Sequence, residues 1–426
     1  MTAVWISSLI FMVCLGVIFS EKVHRTIIAL AGAVVMVAAG MLLGFYSEAQ
    51  AVATIDFNTL GLLLGMMMLV ALLEPTGFFQ FLAVWVGRVS GGRPVRLLVL
   101  LGAVTTLVSM FLDNVTTVVL IAPVTILICE ILGYNPQPFL LSEALLSNTG
   151  GVATLVGDPP NILIASAAGF TFTDFLVHSL PIVLVTWVVT LGFLRWLFRR
   201  ELHAPGPGAV AAVLELDPQE AIKDRKTVRR ALLTLGLALI GFMLEEWLHV
   251  RPSFVALAAA ALALVWIRPD VRAVLNRVEW DILLFFAALF VMVGGMEAAG
   301  ILAMLSQAIL SWGHLSPAVL GLVLLWVVAG LSAVVDNVPI TIALIPVIQG
   351  MGQTGLDVGP LWWALAFGAG FGGNGTIIGS TANVIVASLS ERTRHPITPV
   401  LWSKRGLPVM LVACTVSSLL YVLFFF

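Results

Sequence analysis

An aspartate and an asparagine interrupt an otherwise apolar stretch of the chain. Asp113 and Asn114 stand in FLDNVTTVVLIAPVTIL, residues 111–127, which otherwise has the composition of a membrane span. A carboxylate in bilayer hydrocarbon costs about 2.5–3.5 kcal/mol on insertion scales, so it persists only where protein, water or an ion compensates it. The pair therefore predicts a binding site. The alternative is an aspartate that caps a helix end at the membrane interface.

The composition identifies the environment of this chain. Sixty per cent of the 426 residues are hydrophobic, 10% are charged, and the mean hydropathy is strongly positive. This excludes a soluble domain. Apolar segments bounded by short polar loops recur along the chain, most of them close to the length of a spanning helix. The predicted fold class is an all-α polytopic membrane protein.

The basic residues are confined to a few loops. Twenty of the 21 Lys and Arg fall in five places, and Arg251 is the remaining one. The positive-inside bias places these five regions in the cytoplasm of a protein in the cell inner (plasma) membrane. The five regions are Lys22 to Arg25, Arg88 to Arg96, Arg195 to Arg230, Arg268 to Arg277 and Arg392 to Arg405.

Residues 199–230 form the one long polar stretch, and they are interpreted as a cytoplasmic linker between two halves. Its basic end, KDRKTVRR at 223–230, has two interpretations. One is a docking site for a cytoplasmic ATPase. The other, which we favour, is a solvated charge run beside the lipid surface.

The DNV motif occurs twice. FLDNVTTVVLIAPV at 111–124 returns as VVDNVPITIALIPV at 334–347, a shift of 223 residues (334 minus 111) that also pairs Asp56 with Glu279. TGGVATLVGDPPNILIAS at 149–166 matches FGGNGTIIGSTANVIVAS at 371–388, a shift of 222 (371 minus 149). The chain therefore contains two homologous halves.

The loop charges predict that the halves are inverted. The basic loop at 88–96 corresponds to SWGHLS at 311–316, which has no Lys or Arg, whereas the uncharged 168–174 corresponds to the basic 391–406. Inverted repeats with Gly/Pro-interrupted segments are typical of secondary transporters, whose substrate lies between the repeats. The predicted organisation is a first repeat at 1–198, a linker at 199–230 and a second repeat at 231–426.

The second pair of motifs predicts broken helices. Pro159 and Pro160 lack a backbone N–H, and Gly150, Gly151 and Gly157 weaken the helix before them. We expect this segment to unwind within the membrane and to expose backbone groups to a cavity. Helix N-termini at the breaks and after each DNV motif would then direct partial positive charge inward.

The polar residues of these segments form the predicted site, although some of the Asn and Thr side chains could serve only as helix caps. Asp158, whose counterpart in the second half is Ser380, is a proton-coupling candidate together with Asp113 and Asp336. These segments carry no Lys or Arg, which favours a proton, a cation or a neutral polar solute. The predicted substrate- or ion-binding residues are Asp113, Asn114, Thr116, Thr117, Gly157, Asp158, Asn161, Asp336, Asn337, Asn374, Thr376, Ser380 and Asn383.

Other acidic residues receive structural interpretations. Glu74 and Glu297 end apolar segments and are expected at an interface, with a proton relay as the alternative. Glu130 and Glu143 flank GYNPQP and are expected near the surface. The sequence predicts no cofactor and no metal site.

Four motifs give the chain a resemblance to a known superfamily: FLDNVTT…APVTI, NTGGVATLVGDPPNILIAS, VVDNVPIT…IPV and FGAGFGGNGTIIGSTANVIVAS. Over nearly its whole length it resembles the ion-transporter superfamily of ArsB-type arsenite permeases, NhaD-type sodium/proton antiporters and the melanosomal P protein. The resemblance is strongest to the P-protein-like branch, whose bacterial members are commonly labelled ArsB-like permeases.

The resemblance implies a scaffold and a moving transport part, an elevator-like displacement and, by analogy, a homodimer. It places hairpin tips at 113–114 and 336–337 and helix breaks at 157–161 and 379–383. Dicarboxylate-carrying relatives have Ser-Asn-Thr at the hairpin tips, where this chain has Asp-Asn-Val. That difference argues against a dicarboxylate substrate.

The function that the resemblance implies is efflux of arsenite or antimonite in exchange for protons. Trivalent arsenic in neutral water is mostly an uncharged trihydroxide, which suits a site without basic side chains. The alternatives are an NhaD-type sodium/proton antiporter and a channel-like anion pathway, as the P-protein branch suggests. A membrane enzyme is least favoured because no nucleophile–base pairing is visible.

Overall fold

The computed structural model describes residues 2–19, 22–202, 213–301 and 316–426, and across these ranges the regular elements are helices, with no strand. Within these ranges, six helices are long and apolar enough to cross a membrane. The predicted all-α polytopic fold is confirmed. Those six are Arg25–Leu43, Phe57–Thr76, Asn114–Leu132, Phe172–Leu197, Trp280–Ala298 and Pro399–Phe425.

The helices are numbered here in chain order within the described ranges. The first half contains α1 (Thr2–Phe19), α2 (Arg25–Leu43), α3 (Glu48–Ala53), α4 (Phe57–Leu73), α5 (Phe78–Ser90), α6 (Pro94–Ser109), α7 (Asn114–Leu132), α8 (Gln137–Gly151), α9 (Pro159–Ala168) and α10 (Phe172–Leu197). The second half contains α11 (Arg225–Met243), α12 (Glu245–Leu248), α13 (Pro252–Ile267), α14 (Val271–Leu275), α15 (Trp280–Ala298), α16 (Pro317–Ser332), α17 (Asn337–Gly352), α18 (Gly359–Gly372), α19 (Thr381–Ser390) and α20 (Pro399–Phe425).

Helix boundaries recur between the halves. Helices α7 and α17 begin 223 residues apart, at Asn114 and Asn337, and α9 and α19 begin 222 residues apart, at Pro159 and Thr381. Helix α11 begins at Arg225, inside the predicted linker, because Asp224 caps its first turn through Lys226 N at 2.9 Å. The proposed division into repeats and linker stays a prediction, and residues 203–212 of that linker, with APGPG, lie outside the described residues.

Four helices form a framework in which each helix of one half packs on a helix of the other half. Helix α4 packs on α13, and its counterpart α15 packs on α2. Small residues permit both close approaches: a Cβ at Gly65 would lie 2.6 Å from the Ala256 carbonyl carbon, and one at Gly295 would lie 2.4 Å from Met36 Cγ. Such contacts are how membrane helices associate without a hydrophobic driving force. Neither half therefore completes the framework alone.

The site-bearing helices are also shared between the halves. In the first half, α6 and α7 form a hairpin whose tip lies at residues 110–113, and α8 and α9 are the two parts of a discontinuous helix. The second half repeats this arrangement with α16–α17 and α18–α19. Helix α9 packs on α17, and α19 packs on α7. Each broken helix thus contacts the hairpin of the other half.

The last residues of the linker are docked on the framework. A short 3-10 turn at Pro218–Ala221 packs on α5, and Lys223 N donates to Thr76 O at 2.9 Å. Gly77 is required there for two reasons. Its φ of 81° is left-handed, and a Cβ would lie 1.8 Å from Ala221 O.

Candidate functional site

A cavity of about 330 Å³ lies where the two hairpin tips and the two helix breaks converge. We call it the central cavity. Helices α7, α9, α17 and α19 all begin at residues that line it or directly adjoin its lining, so four partially positive N-termini face it, as the sequence predicts. Seven of the predicted site residues line this cavity: Asp113, Asn114, Thr116, Asp158, Asp336, Asn337 and Ser380.

Asp158 occupies the centre of the arrangement. Its side chain is 3% exposed, and Asn337 Nδ2 of the second hairpin donates to its Oδ2 at 2.9 Å. Asn114, at the tip of the first hairpin, lines the same cavity as this carboxylate. Asp158 is therefore held between the tips of both hairpins. A change in the charge or the position of Asp158 therefore alters its contacts with both halves.

A serine orients the amide of Asn114. Ser109 Oγ lies 2.7 Å from Asn114 Oδ1, to which it can donate, and 2.8 Å from the backbone oxygen of Ser147. With the amide oxygen occupied in this way, the NH₂ group of Asn114 is left for Asp158. The first hairpin and the first broken helix are thereby linked through one buried hydroxyl.

The two hairpin aspartates cap helices and also face the cavity. Asp113 Oδ1 accepts from Thr116 N at 2.8 Å, and Asp336 Oδ1 accepts from Val338 N at 3.1 Å. Asp336 Oδ2 accepts from Thr381 Oγ1 at 2.8 Å, which joins the second hairpin to α19. Capping and cavity-lining roles are thus combined at both positions.

The break in the second half is held by a buried polar cluster. Asn148 Nδ2 on α8 lies 3.0 Å from Asn374 Oδ1 and 3.0 Å from Asn383 Oδ1. Ser380 Oγ in turn donates to Asn148 Oδ1 at 3.0 Å. The hydroxyl that replaces the carboxylate of Asp158 is therefore bonded inside the protein, and the two breaks differ chemically.

The remaining predicted residues lie behind the cavity wall. Asn161 Nδ2 donates to Gly151 O at 2.9 Å and to Thr154 O at 2.7 Å, while Asn383 Nδ2 donates to the equivalent Gly373 O and Thr376 O at 2.7 and 2.9 Å. These amides satisfy carbonyls that the breaks would orphan. The wall residues are Thr117, Gly157, Asn161, Asn374, Thr376 and Asn383.

Framework loops add charges that the motif segments lack. Arg25 Nη1 lies 3.9 Å from Asp336 Oδ2, and Arg277 Nε lies 3.5 Å from Glu74 Oε2. Glu279 also lines the cavity, and burial first, then Asp113 and Asp281, raise its pKa to about 8 against the opposing charge of Arg25. The expectation of a site without basic side chains is wrong, because the start of α2, with Arg25, and the turn before α15, with Arg277, lie over the cavity mouth. We call this mouth the basic side.

The expected surface position of Glu143 is also wrong. Helix α8 begins at Gln137, which carries Glu143 two turns into the protein, where it is fully buried. Its Oε1 accepts from Thr125 Oγ1 at 2.5 Å. The position in the helix, and not the distance from the polar loop, decides its burial.

Comparison with known families identifies the chain. The family model described as "Citrate transporter" (CitMHS) matches residues 15–368. The chain belongs to this family. An uncharacterized transporter of Mycobacterium tuberculosis is 40% identical over 419 residues and covers 96% of both chains. The human P protein is 32% identical, with 98% of this chain and 59% of that protein covered.

A crystal structure of the YdaH transporter from Alcanivorax borkumensis has the same fold, with a TM-score of 0.67 at 18% identity and coverage of 94% of this chain and 98% of that one. The family and the fold confirm the resemblance to the ion-transporter superfamily. The chain is therefore a multi-pass membrane transporter of the citrate-transporter and P-protein type.

This citrate-transporter family member has a second cavity of about 660 Å³. It is lined by residues of the opposite helix ends, among them Asp56, Ser166 and Arg251. Ile162 lines both cavities, and Leu155 and Val156 line one each. A thin apolar layer therefore separates the second cavity from the central cavity. Of the two cavities, the central one is lined by Asp158 and the second one is not.

Proposed function

We propose that this chain is a secondary active transporter that exchanges protons for a small, uncharged hydroxylated solute, with arsenite or antimonite as the leading cargo. The observation that supports it is the position of Asp158, a buried carboxylate in single copy between the two hairpin amides. A carboxylate in this setting is a natural proton carrier, because the cost of its charge depends on what occupies the cavity.

The charges of the cavity favour a cargo that is not strongly anionic. Among the described residues that line it are five carboxylates and two guanidinium groups. A free polyanion would meet a net negative wall, whereas arsenous acid offers three hydroxyl groups to carboxylate, amide and hydroxyl partners. Citrate, which the family description names, fits this wall only with its own charge neutralised by a bound cation or by protons.

The barrier between the cavities supports alternating access. Ile162 separates the central cavity, open toward the basic side, from the second cavity on the opposite side. A channel needs a continuous polar path, and this apolar layer would have to part for every ion. A transporter instead moves the site past the layer.

A sodium/proton antiporter is the second candidate, favoured by a specific group of oxygens. Asp336 Oδ2, Thr381 Oγ1 and Ser380 Oγ lie at the second break beside Asp158, and such hard oxygen ligands suit Na⁺. The three proton-coupling candidates, Asp113, Asp158 and Asp336, would then bind the cation in one step and protons in the next.

Reconstituted liposomes of the full chain test these functions. Internal arsenite is measured by mass detection under an imposed pH gradient, with and without Na⁺, and citrate is tested with and without Mg²⁺. Proton-driven arsenite accumulation that is indifferent to Na⁺ is expected. Sodium-driven proton movement without arsenite transport would support the antiporter. Citrate uptake would support the substrate that the family description names. Ohmic current without coupling would support the channel.

We also propose the cell inner membrane as its location and a homodimer as its assembly. The distribution of Lys and Arg supports the orientation, with Arg25 and Arg277 facing the cytoplasm. An ATPase partner at the linker remains a separate proposal. Co-purification of an ATPase with the full chain, and its loss when the exposed Lys223, Arg225 and Lys226 of the basic end are changed to Glu, would test it.

A further inference from the structure

A hydrogen bond fastens the framework to a discontinuous helix on the side of the second cavity. Asp56 caps α4, with Oδ1 accepting from Asn58 N at 2.9 Å and Oδ2 from Thr59 Oγ1 at 2.6 Å. The same Oδ2 accepts from Ser166 Oγ on α9. Any displacement of α9 along the framework must break this last contact.

The repeat places the same two residue types at the other end of the molecule. Glu279 is the counterpart of Asp56, and Ser388 is the counterpart of Ser166. Glu279 precedes α15 at the mouth of the central cavity and makes no cap hydrogen bond, while Ser388 lies exposed on α19. Within the described residues no hydrogen bond joins the two. The Asp56–Ser166 pair is thus hydrogen-bonded on the closed side, whereas the Glu279–Ser388 pair on the open side is not.

We propose that Asp56–Ser166 and Glu279–Ser388 are alternating latches, of which one closes each side of the membrane during the transport cycle. The inference rests on the proposed alternating access, and it adds which residues hold each state. If the halves exchange conformations, Glu279 takes the role that Asp56 has here. The two carboxylates need no contact with the cargo, since they hold framework helix to discontinuous helix.

The environments of the two carboxylates differ as the proposal requires. Burial opposes the charge of Asp56, but hydrogen bonds from Ser166, Thr59 and Asn58 hold its pKa below the usual value. Glu245, His249 and Arg251 are the other ionisable groups that line its cavity.

Glu279 has no such donors. It faces Asp113, Asp281 and Glu74, with Arg25 and Arg277 as the basic groups of the same cavity, and its pKa is raised. A serine donor that reached Glu279 would lower that pKa and strengthen the bond, because hydrogen bonds to charged acceptors are the stronger ones.

Disulfide trapping in the full chain tests the latches. Asp56→Cys/Ser166→Cys captures the present state, and Glu279→Cys/Ser388→Cys captures the exchanged one. The three native cysteines are buried, so mild oxidation in liposomes reaches the engineered thiols first. Both pairs are expected to cross-link, and each cross-link should arrest transport until a reductant restores it.

Matched pairs on the same helices serve as controls. Glu74→Cys/Ser166→Cys and Glu297→Cys/Ser388→Cys place one thiol 18 residues further along each framework helix, about 27 Å away, and should not cross-link. Failure of Glu279→Cys/Ser388→Cys to cross-link in a protein that still transports overturns the proposal. Cross-linking needs no knowledge of the cargo, so an error in the proposed substrate leaves this test intact.

A non-covalent measurement covers the case in which the cysteine pairs do not fold. Val115→Cys, which lines the central cavity, reports access from the basic side through its rate of thiol labelling. Adding Ser166→Ala should slow that labelling by about fivefold, and adding Ser388→Ala should speed it similarly. Changes in the same direction for both variants would contradict the proposal.

Discussion

The side-chain amide of Asn337 lies 2.9 Å from the carboxylate of Asp158, which joins the tip of the second hairpin to the break of the first discontinuous helix. The two residues are 179 positions apart in the chain. A proton or cargo at Asp158 therefore acts directly on the contact between the halves. The atoms that form the site are therefore also the atoms that couple the two halves.

Asp158→Asn should abolish proton-driven transport. The amide that replaces the carboxylate cannot be ionised, and its NH₂ group offers no acceptor to a donor such as Asn337 Nδ2 that faced the lost oxygen, at about 1–3 kcal/mol. Uptake under a pH gradient is the measurement. Asp357→Asn, in an exposed loop, is the control and should transport normally. Full coupling in Asp158→Asn would remove this residue from the mechanism.

Asn148→Ala should destabilise the second break, although Asn148 does not itself line the central cavity. The change leaves Ser380, Asn374 and Asn383 with fewer buried partners, at about 1–3 kcal/mol for each unsatisfied group. Thermal unfolding in detergent should show a clearly lowered midpoint. Ser142→Ala on the same helix loses only a local bond to Pro138 O and should shift the midpoint little. Equal effects of the two variants would argue against a special role for Asn148.

Asn161→Asp should be more damaging than its size suggests. The NH₂ group that donates to Gly151 O and Thr154 O is exchanged for an oxygen, so carboxylate faces carbonyl in a buried site. We expect poor yield of folded protein, measured by size-exclusion chromatography. Asn276→Asp, on an exposed segment, makes the same chemical change and should be tolerated. Normal yield for Asn161→Asp would mean that the break is held by other bonds.

Access from the basic side should depend on pH through Glu279. In the present open state its pKa is raised to about 8, chiefly by burial, and in the latched state a Ser388 donor would lower it. The state with the higher pKa is stabilised as pH falls, so the open state gains stability relative to the latched state as pH falls below about 8 and loses that gain as pH rises back to about 8. Labelling of Val115→Cys should therefore slow relative to an exposed Glu391→Cys standard as pH rises. Glu279→Gln should remove the dependence.

Much of the architecture follows from the sequence alone. The apolar composition identifies the membrane, and the recurrence of DNV and of the Gly-rich motif predicts hairpins and breaks that appear at the expected positions. Pro159 marks the start of α9 because a proline suits the first turn of a helix, where its missing N–H is not needed. Local backbone chemistry decides these features, so the sequence displays them.

Polar contacts between distant residues could not be predicted in this way. Asn148 stands in a quoted motif, and its counterpart in the second half is Gly370, just as Asn374 is the counterpart of Val152. A Cβ at Gly370 would lie 2.1 Å from Val152 Cγ2. Only the packed helices show that Asn148 and Asn374 meet in one asparagine cluster. The asymmetry between the halves at these positions is the signal that could have identified it. Periodicity within one helix does not carry it.

The charges at the cavity mouth were decided by the tertiary structure. In the sequence, Arg25 and Arg277 adjoin apolar segments and indicate only the ends of helices. Glu143 adjoins a polar loop in the sequence, yet it is buried. The sequence determined that acids and broken helices would meet between two repeats, because those features repeat in register. The fold alone decided which loops cover the site, since α2 and α15, from different halves, pack together and bring Arg25 to Asp336.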